Sequence, residues 1–97
     1  MAKGYWVSCY RSITNPDALV EYAKLAGPAI EAGGGRFLAR GGRVQAYEAG
    51  IGERTVVIEF ASFEQAVATH DSEAYQAAAA KLEGAVERDL RMVEGVD

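Results

Sequence analysis

The chain is poor in the residues that most often carry chemistry. Its 97 residues include one cysteine, Cys9, and one histidine, His70. A lone cysteine forms no intrachain disulfide, which fits a reducing compartment. One histidine and one cysteine far apart in sequence also make no ligand cluster of ordinary spacing, so neither a metal nor a cofactor is expected. Basic residues are outnumbered, ten against fourteen acidic, for a formal net charge of -4. The local pairs Arg36/Arg40 and Arg40/Arg43 are too few to form a basic patch, and nucleic acid is not an expected partner. No apolar run approaches the roughly 18 residues of a membrane span, and Met1-Ala2-Lys3-Gly4-Tyr5 opens without an apolar leader. The expectation is a soluble cytoplasmic protein with no membrane partner.

What is present reads as a single domain over 1–97. With 49% hydrophobic residues, disorder is not a credible reading. Thr55-Val56-Val57-Ile58-Glu59-Phe60 has the pattern of a central strand that runs through Ser62 into a helix. Tyr5-Trp6-Val7-Ser8-Cys9-Tyr10 reads as a first strand with bulky groups on both faces. Asn15-Pro16-Asp17 starts a helix: the asparagine caps, proline at the first position loses nothing, and aspartate faces the positive dipole end. Leu19, Tyr22, Ala23, Ala26 and Ile30 form its packing stripe. Pro28 is expected to kink or interrupt it, and Gly33-Gly34-Gly35 to end it.

Arg36–Arg40 is a short strand, Gly41-Gly42 a tight turn, and Arg43–Glu48 a returning strand. Ser62 with Gln65 makes a capping box. Asp71-Ser72-Glu73 begins a further helix expected from Ala74 to Arg88, packing through Tyr75, Ala78, Ala79, Leu82 and Val86. Leu90–Glu94 is a last strand. The order of elements is β-α-β-β-α-β with the second helical region broken in two. This is an α+β, ferredoxin-like arrangement with an antiparallel sheet. Because the strands look double-sided, two sheets facing each other in a homodimer are expected to close a dimeric α/β barrel.

Neither glycine-rich piece is a nucleotide loop: both lack the Gly-Lys-Ser/Thr ending, and the helix precedes the triplet. The candidate site residues are polar groups set among aromatics: Arg11, Tyr22, Arg40, Glu59, His70 and Tyr75. Alternation puts Glu59 on the face away from the helices, where burial calls for an arginine partner or a raised pKa. Arg11 is the first choice of partner, with Arg36 and Arg40 behind it. A carboxylate, an arginine and aromatics suit a small-molecule pocket; the plainer reading is an ion pair that fixes the strands. His70 has the titration range of a general base, against the plainer role of a polar residue at a helix junction. Tyr22 and Tyr75 sit on packing stripes, where core tyrosines with a hydroxyl at the edge are the default.

Three blocks carry a resemblance: Gly34 through Gly42, Val57-Ile58-Glu59-Phe60-Ala61-Ser62, and Ser72-Glu73-Ala74-Tyr75-Gln76. With the tyrosine-rich first strand, Asn15-Pro16-Asp17 and Tyr22, they closely resemble the family catalogued as domain of unknown function 1330, over essentially the whole chain. The resemblance implies dimeric α/β barrels of ferredoxin-like subunits. That superfamily includes cofactor-independent monooxygenases, muconolactone isomerase-like proteins and haem-degrading enzymes. This chain departs from the pattern at Thr69-His70, where the family has Trp-Tyr, and at Ala61, where it has proline. His70 is therefore not carried over as a family residue. Two functions follow as expectations. One is cofactor-free binding or conversion of a small aromatic or carboxylate metabolite; the other is a non-enzymatic dimer that senses a ligand or serves as a scaffold.

Overall fold

A computed structural model describes all residues from Met1 to Asp97. Strand β1 (Gly4–Ile13) is followed by helix α1 (Pro16–Ala32), β2 (Arg36–Arg40), β3 (Thr55–Phe60), α2 (Phe63–Asp71), α3 (Glu73–Ala79) and β4 (Val86–Glu94). The four strands form one antiparallel sheet in the order β2-β3-β1-β4. Alternation places Trp6, Ser8, Tyr10, Val56, Ile58 and Phe60 beneath the helices, all buried. Trp6 lies at the centre. Its ring meets Tyr75 edge-on at 4.8 Å and Phe60 at 5.4 Å, and its indole N–H donates to the Ala66 carbonyl at 2.8 Å. A buried indole needs that acceptor, so β1 and α2 are tied by a polar bond inside an apolar layer.

The helix starts are capped by the residues the sequence marks. Asn15 accepts from the Ala18 N–H, Ser62 from Gln65 and Ser72 from Tyr75. At the end of α1, the Gly34 N–H donates to Glu31 and the Gly35 N–H to Ile30, with Gly34 at φ +88°. This is a Schellman stop, and the left-handed position explains a glycine there.

Five expectations are corrected. The helix α1 is not interrupted at Pro28; the proline lies on the exposed side, where water can satisfy the freed carbonyl. Gln65 does not close a capping box; its side-chain amide donates to the Gly33 carbonyl at 2.7 Å and joins α2 to the end of α1. Arg43–Glu48 is not a strand: it is exposed, Glu48 takes φ 53°, and the Gly50 N–H turns back to Tyr47. Residues 41–54 are instead one long loop between β2 and β3, so Gly41-Gly42 is no tight turn. The helix from Ala74 stops at Ala79, passes through a 3₁₀ turn to Leu82, and reverses at Gly84 (φ +73°). Val86–Arg88 thus belong to β4.

The fifth correction concerns assembly. The sheet is open, with β2 and β4 as free edges of a single chain, and no barrel is formed. Its outer face is less apolar than the double-sided pattern implied. Val7 and Val57 share it with two charged groups, Tyr5–Glu59–Arg36 and Arg11–Asp89–Arg91. No helix is long and apolar enough to cross a membrane.

Candidate functional site

Between α1 and the inner sheet face lies a cavity of about 30 Å³. Its apolar wall comes from Trp6, Leu19, Ala26, Ile30, Val56 and Ile58. Trp6, Ile30 and Ile58 are at most 2% exposed and form the closed end.

The other end is cationic. Register pairs Tyr10 with Arg88 on one side, and on the other the Tyr10 N–H donates to the Arg54 carbonyl at 3.0 Å. Arg54, Tyr10 and Arg88 therefore form a cross-strand row. Arg40, opposite Val56, completes the rim from β2. Its guanidinium stacks on Phe37 at 4.0 Å and passes beside Gly27 of α1. Arg54 packs against Gly41, which holds φ +74° with no side chain in the way. None of the three arginines is paired with a carboxylate, and no acidic residue lines the cavity.

Two buried polar atoms on this cavity lack any partner, the Ser8 hydroxyl and Arg54 Nε. Ser8 is only 3% exposed. An unmade bond at such a group costs about 1–3 kcal/mol, so each calls for a partner from outside the protein, a water or a ligand. Arg88 is partly satisfied: it donates to the Tyr75 hydroxyl at 2.7 Å and the Tyr22 hydroxyl at 3.3 Å, and those two hydroxyls are 2.7 Å apart. Burial pushes the Tyr22 phenol well above its ordinary range, with Tyr75 adding to the rise and Arg88 opposing it. Burial likewise raises Tyr10. Burial works against the charge on Arg88, but the two phenols outweigh it and its pKa rises. Tyr10, Tyr22 and Arg88 thus keep their protons at neutral pH.

Of the residues singled out in the sequence, Arg40 and Tyr22 line this cavity, and Tyr75 joins them through Arg88 and Tyr22. Arg11 and Glu59 lie on the opposite face. Glu59 is bound by Arg36 at 3.1 Å and by the Tyr5 hydroxyl at 3.2 Å, while Arg11 stands 3.8 Å from Asp89. His70 lies outside the cavity behind Tyr75. Its ring centroid is 5.4 Å from that of Tyr75, and Nδ1 meets the adjacent Asp71 carboxylate at 2.9 Å. Sequence reasoning missed Arg54 and Arg88 and passed over Ser8 as a polar partner. A signal for Arg88 was present: it occupies the core-facing register of Val86, Leu90 and Met92, where a charge stands out.

No group of three or more histidine, cysteine or carboxylate side chains is placed to hold a metal. Solved structures similar to this chain share its fold. A protein of unknown function from Rhodopseudomonas palustris is 18% identical with a TM-score of 0.74, the match covering 99% of this chain and 84% of that one. A dimeric ferredoxin-like protein of unknown function from Thermobifida fusca is 16% identical with a TM-score of 0.61, covering 98% and 92%. A nipsnap family protein from Agrobacterium tumefaciens, also of unknown function, is 15% identical with a TM-score of 0.58, covering 97% and 88%. No curated protein matches the chain. The domain-of-unknown-function family DUF1330 matches residues 3–96, and the chain belongs to it.

Proposed function

We propose that this protein binds a small organic carboxylate between α1 and the sheet. The observation that carries this reading is the rim of Arg40, Arg54 and Arg88, unpaired with any acid, around a largely apolar cavity. Guanidinium forks match carboxylate geometry, and three cations in an acidic chain repel one another until an anion joins them. The aromatic and aliphatic wall receives the ligand's apolar part. The lining contains no carboxylate or imidazole to accept a proton. That favours a binding or sensing role over acid–base conversion.

The test is a calorimetric titration with pentanoate, with Arg54→Gln beside the wild type. Saturable binding weakened about tenfold or more by the substitution is expected, as befits a lost charge-assisted bond. Equal affinity in both proteins, or no binding at millimolar pentanoate, contradicts the proposal. A homodimer is part of this reading. Its support is the dimeric ferredoxin-like relative of Thermobifida fusca, together with exposed Leu38, Tyr47 and Val93. Sedimentation at micromolar concentration giving only the 10.4 kDa mass would remove it.

A further inference from the structure

The closed end of the cavity is not purely apolar. Ser8 sits two residues inward from Tyr10 on the same face of β1, about 7 Å along the strand. Register sets Ser8 between Val56 and Leu90, so its hydroxyl has only apolar neighbours across the strands. Its oxygen is buried and unpartnered. Ser8 lines the cavity, whose whole volume is only about 30 Å³.

The geometry points to a carboxylate that carries a second oxygen, a short oxo- or hydroxy-acid, with the carboxylate at the arginine rim and the second oxygen at Ser8. This rests on the carboxylate reading above and narrows it. A plain alkanoate leaves Ser8 unpaired; an oxygen three carbons beyond the carboxyl carbon stands about 5 Å from it and reaches inward to accept a hydrogen bond from the Ser8 hydroxyl. The small volume of the whole cavity favours a short, unbranched acid over a long or ring-bearing one. Sites built to bond an oxygen discriminate against analogues that lack it, since their own polar group is then stranded.

The experiment compares 4-oxopentanoate with pentanoate by calorimetry, on the wild type and on Ser8→Ala. In the wild type the oxo-acid is expected to bind about tenfold more tightly, the effect of one buried hydrogen bond. In Ser8→Ala its affinity is expected to fall to that of pentanoate. Equal binding of the two acids by the wild type overturns the oxo-acid inference and leaves the carboxylate site standing. An oxo-acid advantage that survives in Ser8→Ala overturns the role of Ser8. Failure of both acids to bind the wild type overturns the carboxylate reading itself. The comparison of the two acids on the wild type holds even if the variant does not fold.

Discussion

Tyr75 joins most of the interior in one side chain. Its ring meets Trp6 and Tyr22 edge-on, and its hydroxyl is shared by Tyr22 and Arg88. Tyr75→Phe keeps the ring but strands part of the Arg88 and Tyr22 polar set, at a cost of about 1–3 kcal/mol, readable as a lower urea midpoint. Ser8→Ala has the opposite sign in the ligand-free protein. It removes a polar atom that has no partner, so the urea midpoint should be unchanged or higher. Tyr22 gives stability an alkaline dependence. Its folded pKa is raised by burial above the ordinary value of 10.0, so the unfolded chain loses this proton first. The stabilisation is complete below about pH 10 and declines as the pH rises toward the folded value. Tyr22→Phe should flatten part of that loss in urea melts at about pH 8 and about pH 11, with Tyr10 accounting for some of the remainder.

Among the elements, the helix starts were legible and the returns were not. Asn15, Ser62 and Ser72 cap because a small polar side chain in that position has one obvious donor to satisfy. The strands β1 and β3 were legible from alternation; for β3 it also told which residues face the helices, whereas β1 has bulky groups on both faces and did not. The alternation of Arg43–Glu48 misled because the segment pairs with no neighbouring strand; pattern alone does not say whether a partner exists. Glu83–Arg88 looked helical by composition, yet the left-handed Gly84 ends the helical segment there. Pro28 was judged by its residue type rather than by its exposed position. Since α1 continues through it with a missing N–H, Pro28→Ala should restore a helical bond and raise stability by about 1 kcal/mol or more. The gain is reduced by the freedom that alanine returns to the unfolded chain. A chemical melt of that variant measures it.

At the scale of the whole molecule, the sheet divides the polar residues into two sets that the sequence could not separate. Glu59 and Arg11 are satisfied on the outer face by Arg36 and Asp89. Arg40, Tyr22 and Tyr75 gather on the inner face with Arg54 and Arg88. Arg54 stayed hidden because it closes a loop whose path no periodicity describes, and Arg88 because its segment was assigned to a helix. The outer charged groups also explain why the open sheet is tolerated without a barrel: its exposed surface is partly ionic rather than a continuous apolar patch. What the fold leaves unsatisfied is concentrated instead at one end of the inner face. The most direct measurement is the side-chain Nε–H resonance of Arg54, followed by NMR during a titration with 4-oxopentanoate. A carboxylate seated at the rim should shift that signal saturably, in step with the calorimetric binding curve. A resonance that stays fixed while the acid binds, or no binding at all, would contradict a carboxylate site between α1 and the sheet.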